Sequence, residues 1–166
     1  MKRALIFSDS HGRLENLLDV LKQYPDAVAV FFLGDVEGDA DRLRRSTPYP
    51  VYMVRGNCDY SSDIPQELEI EFAGKKIVMA HGHRYLNYGG MDALKNWALM
   101  QGADIVMFGH THIPFCEEEE GVTLLNPGSI SKPRQEGHIP TYARMDVYES
   151  GEVHFEICQY KRKFKK

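Results

Sequence analysis

Five short polar clusters bring together residue types that bind metal ions: Asp9-Ser10-His11, Gly34-Asp35, Gly56-Asn57-Cys58-Asp59, His81-Gly82-His83 and Gly109-His110-Thr111-His112. They supply carboxylates, an amide oxygen and imidazoles, with no thiolate required. Mixed oxygen and nitrogen donors suit manganese, iron, zinc or a related ion, because calcium and magnesium prefer all-oxygen shells and structural zinc prefers cysteine. Asp9, His11, Asp35, Asn57, His81, His110 and His112 are more donors than one ion takes. Two ions about 3.5–4 Å apart, sharing a bridging carboxylate, would use them all and would clamp the attacking and leaving oxygens of a displacement at phosphorus.

Each cluster begins where an apolar run ends. Residues 3–8, 27–33, 50–54, 75–80 and 104–108 read as strands, so the clusters are expected to converge at one sheet edge rather than scatter over the surface. In extended backbone, residues two apart face the same side, which predicts that Asp9 pairs with His11 and His110 with His112. Glycines beside Asp35, Asn57, His81 and His110 permit tight turns and close approach.

Around these strands the pattern predicts helices at 14–24, where Leu14, Leu17, Leu18 and Leu21 recur at helical spacing, and at 39–45 and 92–101. In the first half, strand and helix alternate, which implies a largely parallel sheet. In the second half, 68–72 and 75–80 form a hairpin about Ala73-Gly74, and 115–118, 122–125, 141–148 and 152–159 read as short antiparallel strands between turn dipeptides. The simplest layering is a four-layer α/β/β/α sandwich of two mixed sheets with flanking helices, a single domain at 1–160 followed by a basic tail at 161–166.

Composition narrows the setting. The chain has 166 residues, 43% hydrophobic and 27% charged, enough for one buried core, and no apolar run approaches the ~20 residues of a membrane span. The N-terminal apolar stretch is too short for a signal peptide. Cys58, Cys116 and Cys158 lack framework spacing, so a reducing cytoplasmic setting is expected. Net charge is −4, but the tail KRKFKK holds five cations, which leaves about −9 on residues 1–160. That sign disfavours a nucleic-acid groove. The tail reads as a solvated terminus or as a contact arm for an anionic partner.

The ordered set of DxH, GD, GN, H and GHxH clusters resembles the calcineurin-like metallophosphoesterase superfamily, over 9–129 of the chain. Size, the GNCD sequence and the segment NPGSISKPR narrow the likeness to the YfcE-like phosphodiesterase branch. The resemblance implies one metal on Asp9, His11, Asp35 and His112 and a second on Asp35, Asn57, His81 and His110, with Asp35 bridging. It further implies in-line attack on a phosphodiester, or on a small phosphomonoester, by a hydroxide shared between two divalent transition-metal ions. Manganese is the first expectation, with nickel, iron or zinc as alternatives. Asp35, Asn57, Cys58 and His110 are then the residues nearest the chemistry. Cys58 departs from the superfamily, where many members carry a histidine that assists the leaving group; a thiol fits that role less well.

Several positions admit two readings. His83 is a substrate contact, a support for the metal ligands, or a loop residue. Asn126 to Ser129 form a plain β-turn or a loop beside the metals, and Lys132 and Arg134 hold a substrate phosphate or are solvated charges. Asp59 orients its neighbours or caps the next segment. Asn126, Ser129, Arg134 and His83 are carried forward as candidate substrate contacts. A short chain leaves the cleft open, with room for a second copy of the chain to complete it. The rival to an enzyme is a non-catalytic scaffold on the same fold, as in the retromer subunit; such a scaffold has no need to keep histidines at 11, 81, 110 and 112.

Overall fold

A computed structural model of the chain describes residues 1–38, 40–60 and 63–162. Ten strands and three helices follow in the order β1 (Lys2–Phe7), α1 (Glu15–Leu21), β2 (Ala27–Phe32), α2 (Ala40–Arg45), β3 (Val51–Met53), β4 (Glu67–Phe72), β5 (Lys75–Ala80), α3 (His83–Met100), β6 (Ile105–Met107), β7 (Phe115–Glu119), β8 (Val122–Asn126), β9 (Thr141–Val147) and β10 (Val153–Gln159). They form two five-stranded sheets, ordered β10-β9-β1-β2-β3 and β4-β5-β6-β8-β7. Both sheets are mixed: β1, β2 and β3 are parallel, as are β5, β6 and β8, while the outer pairings are antiparallel.

The strand residues sort into three apolar layers by alternation. Ala4 and Ile6 of β1, Ala29 and Phe31 of β2, Ile77 and Met79 of β5, and Ile105 and Met107 of β6 meet between the sheets. The intervening Leu5, Phe7, Val30 and Phe32 face Leu17, Val20 and Leu21 of α1 and Leu43 of α2. On the far side, Val78 and Val106 pack under Leu94 and Ala98 of α3. Strands buried on both faces read as continuous apolar runs rather than alternating ones. Burial on both faces accounts for the uninterrupted runs in β1, β2, β5 and β6, and it yields the four-layer α/β/β/α arrangement.

Two features differ from the sequence-based expectation. Strands β9 and β10, which look like the end of a second antiparallel unit, return to the first sheet, where β9 lies antiparallel to β1. Helix α3 begins at His83, not near Asp92, because Gly89 and Gly90 mask the pattern: Gly90 has φ 65° and ψ −152° and breaks α3 into two helical segments. Within the basic tail, residues 163–166 lie outside the described residues.

Candidate metal centre

All five clusters leave the carboxyl ends of strands, and the loops of the two sheets lock together there. Asp9 N–H donates to Gly34 O at 3.0 Å and His11 N–H to Asp35 O at 2.9 Å within the first sheet, and Gly109 N–H donates to His81 O at 2.9 Å within the second. Other bonds cross between the sheets, among them His110 N–H to Asp9 Oδ2 at 3.1 Å and the His81 Nδ1 contact with Leu33 O at 2.6 Å.

The expected pairing of residues two apart is met for Asp9 and His11, though not by extended backbone, whereas His112 turns to Asp9 and His11, and His110 turns to Asn57. Asp9, His11, Asp35, His110 and His112 all have φ between 47° and 68°, the left-handed region that non-glycine residues rarely enter. Each such residue carries a cost of the order of 1 kcal/mol or more, which the surrounding loops must enforce, and clusters of them mark functional sites. Two glycines make the close approach possible. A Cβ on Gly56 would lie 2.0 Å from Asp35 Oδ1, and one on Gly109 would lie 2.0 Å from Ser8 Oγ and 2.8 Å from Asp9 Oδ2.

The first expected donor set is assembled. Asp9 Oδ1 lies 3.1 Å from His112 Nε2 and 3.6 Å from His11 Nε2; His11 Nε2 lies 3.7 Å from Asp35 Oδ2 and 3.1 Å from His112 Nε2. Of the second set, His81 Nε2 is 3.3 Å from Asp35 Oδ2 and His110 Nδ1 is 3.1 Å from Asn57 Oδ1, with the His81 and His110 ring centroids 5.2 Å apart. Asp35 Oδ2 thus faces both sets, as a bridging carboxylate must.

The donor chemistry fits cations. Asp9 Oδ1 and His81 Nε2 are buried without a hydrogen-bond partner, a costly state for polar atoms that a coordinated ion would relieve. His81 directs Nδ1 at Leu33 O, and His112 directs Nδ1 at Lys132 O, 2.6 Å away. These contacts hold the tautomer whose Nε2 lone pair faces the cluster.

Asp59 is the main support. Its Oδ2 accepts from Asp35 N–H at 2.7 Å and Gly56 N–H at 2.9 Å, and its Oδ1 accepts from Glu37 N–H at 2.7 Å. Of its two sequence readings, orientation of its neighbours is the one realised. Cys58 N–H donates to Asp35 Oδ1 at 2.8 Å and so holds the outer oxygen of the bridging carboxylate. Glu37, which the sequence did not single out, lies with Oε1 3.3 Å from His11 Nδ1; a carboxylate two residues after Asp35 was the available signal.

The candidate substrate contacts divide. Asn126 and Ser129 are fully buried, and their polar atoms are engaged. Asn126 donates to Gly109 O and Thr111 Oγ1 and accepts from Gly128 N–H; Ser129 donates to Asp9 O and accepts from Ser131 and Lys132 N–H. The expectation that they touch substrate is therefore corrected: they clamp the loops that carry Asp9, His110 and His112. Arg134 is exposed, its N–H bonded to His112 O at 3.1 Å. His83 opens α3, its ring centroid 5.5 Å from His81 and 5.9 Å from His110.

Electrostatics divide the histidines. Burial raises Asp9, but His11, His112 and His81 outweigh it and hold its carboxyl well below the usual range. His11 is raised, chiefly by Asp9; burial lowers His81, yet Asp35 and Asp9 prevail and raise it. Burial and the His81 charge lower His83 and His110. Metal ligation requires neutral imidazoles, so His11 and His81 must each surrender a proton. Both hold a proton to higher pH than a free imidazole does, and loading is expected to release protons, more so as pH falls. Apparent affinity accordingly falls as pH falls. Calorimetric titration of the apoprotein in buffers of different ionisation enthalpy measures this; release that is absent at pH 6.5 would contradict the arrangement.

Comparison with known proteins follows the same lines. The calcineurin-like phosphoesterase superfamily domain matches residues 1–150. The probable metallophosphoesterase YsnB of Bacillus subtilis is 37% identical over 134 residues, spanning 78% of this chain and 76% of its own. The phosphodiesterase YfcE of Escherichia coli K12 is 29% identical over 166 residues, spanning 88% of both chains. A crystal structure of a predicted phosphoesterase from Streptococcus pneumoniae superposes with a TM-score of 0.77 at 30% identity, covering 95% of this chain and 97% of that one. The chain belongs to the calcineurin-like phosphoesterase superfamily.

Proposed function

We propose that the chain is a metal-dependent phosphodiesterase that also accepts small phosphomonoesters. The observation that carries this reading is the convergence of Asp9 Oδ1, Asp35 Oδ2 and His81 Nε2, two of them buried and unpartnered, with His11 and His112 on the adjoining side. Asp9, His11, Asp35 and His112 would hold one divalent cation, and Asp35, Asn57, His81 and His110 a second. When bound, such ions lower the pKa of water and neutralise charge on phosphoryl oxygens. The chain's own part is to orient. Asp59 holds the Asp35 loop, Leu33 O and Lys132 O orient His81 and His112, and Asn126 and Ser129 fasten the loops of the second sheet. Manganese is the preferred ion, then nickel, iron or zinc.

The partnerless Asp9 Oδ1 and His81 Nε2 favour a bound cation, and turnover separates an enzyme from a scaffold that merely holds metal. Among the described residues no helix is long and apolar enough to cross a membrane, and the three cysteines are free, in keeping with a cytoplasmic enzyme of small substrates. The deciding experiment assays a panel of diesters and monoesters against manganese, nickel, zinc and magnesium. Hydrolysis of none of them by protein shown to carry metal would end this reading.

Cys58 adds a sharper expectation. In the metal-free protein, burial and then Asp35, Glu37 and Asp59 push its thiol up to about 11, so it holds its proton at neutral pH and donates it poorly. A well-placed general acid contributes ~10²–10⁴-fold, most for alkoxide leaving groups. Cys58→His is expected to raise turnover of alkyl esters relative to nitrophenyl esters at unchanged metal content. An unchanged ratio would remove residue 58 from the leaving-group side.

A further inference from the structure

Beside the metal centre lies a cavity of about 440 Å³ lined by Val36, Glu37, Gly38, Cys58, Asp59 and, on the α2 side, Ala40, Asp41 and Arg44, with Tyr60, Asp63 and Ile64 opposite. We propose that this cavity is the leaving-group subsite, and that it takes an alcohol bearing a substituted ammonium group. This rests on the phosphodiesterase reading and adds the substrate class to it.

Position carries the first half of the inference. Cys58 bonds Asp35 Oδ1 through its N–H at 2.8 Å, and Glu37 Oε1 sits 3.3 Å from His11 Nδ1. The cavity therefore begins at the two residues, Cys58 and Glu37, that contact the outer oxygen of Asp35 and the outer nitrogen of His11. A diester held at the centre has one ester arm directed along this wall, and the volume is that of a small-molecule site.

Chemistry carries the second half. Half-buried Ala40, backed by the buried Val36 and Ile64, forms an apolar floor. Above it the described lining holds four carboxylates, Glu37, Asp41, Asp59 and Asp63, against the single guanidinium of Arg44. Asp41 pairs with Arg44 at 3.1 Å, and Asp59 is bonded to backbone amides, so the charge acts as a field rather than as one salt bridge. Tyr60, 95% exposed, presents a ring at the mouth. An anionic arm, such as a further phosphate, meets repulsion there. A neutral arm gains only the floor, whereas a substituted ammonium gains the floor, the field and an aromatic face together. In the reaction, water adds across the P–O bond to that alcohol, which leaves with the proton while the other ester stays on phosphorus.

The test uses the manganese-loaded protein and methyl phosphodiesters that differ in one arm: trimethylammonioethyl, its neutral dimethylbutyl isostere, and a carboxylate-bearing arm. The cationic ester is expected to exceed the neutral one in kcat/KM by about tenfold, the anionic one to fall below both, and the ammonium alcohol rather than methanol to be released. Asp41→Asn with Asp63→Asn is expected to bring the cationic-to-neutral ratio toward one. A ratio at or below one, a ratio unmoved by that double variant, or release of methanol would overturn the subsite while leaving diester hydrolysis standing. Absence of hydrolysis of every diester, including bis-nitrophenyl phosphate, would instead defeat the functional reading. The cavity is then judged by amide shifts on titration with tetramethylammonium: shifts at Gly38, Cys58 and Ile64 that tert-butanol does not reproduce uphold it, and their absence overturns it.

Discussion

Asp35→Asn is expected to abolish hydrolysis while leaving the fold intact. Cys58 N–H bonds Asp35 Oδ1, and an amide oxygen at that position keeps the bond. The amide nitrogen then stands where Oδ2 faces both His11 and His81, 3.7 and 3.3 Å away. A donor replaces the shared acceptor, and one negative charge is lost between two cation positions. Losing several kcal/mol of charge stabilisation corresponds to about 10³-fold or more in rate. Metal analysis together with turnover checks it: two ions per chain with near-normal rates would show that Asp35 does not bridge.

Asp59→Ala is expected to reduce stability and activity together, although Asp59 belongs to neither donor set. Its oxygens accept from three backbone N–H groups, of Asp35, Gly56 and Glu37. Removing them leaves buried donors unpaired at about 1–3 kcal/mol each. Two of the three donors, of Asp35 and Gly56, are buried, so the total should be roughly 2–6 kcal/mol, a fall in Tm on the order of 10 °C for a domain of this size. The same bonds hold Asp35 in its left-handed conformation, so metal affinity should drop about 10–100-fold. Asp59→Asn is not expected to rescue, because both oxygens accept and an amide supplies only one acceptor however it turns. Thermal unfolding and metal titration of both variants decide the matter; full activity in the asparagine variant would reduce Asp59 to a cap.

The candidate donors stand out in the chain because their signal is local: four of the five clusters follow strands buried on both faces, which are continuous apolar runs, and the Gly56 cluster follows the short edge strand β3. The layer order followed from the same runs, since two sheets with helices outside is the arrangement that covers them all. Other properties arose only from contacts between distant segments. Helix α3 starts at His83 because its first segment, which ends at the non-helical Gly90, is set by packing of Tyr85 and Leu86 on the layer of Val78 and Val106 rather than by a continuous helical pattern. Strand β9 pairs with β1 across 140 or so residues of chain, a choice set by which sheet edge is open and not by any local pattern. Asp9 and His11 do face together, but through positive φ, while His110 and His112 turn to different donors, and only the interlocked loops enforce a conformation that these side chains disfavour. Asn126 and Ser129 looked like substrate contacts because polar residues after a strand carry no mark of which way they turn. Their burial turned them inward, onto Gly109 and Asp9. The sequence by itself determined which atoms could hold metal and at which sheet edge they gather. Tertiary structure decided which polar groups face the shared cluster and which hold the loops, because a hydrogen bond between residues a hundred positions apart leaves no trace in spacing.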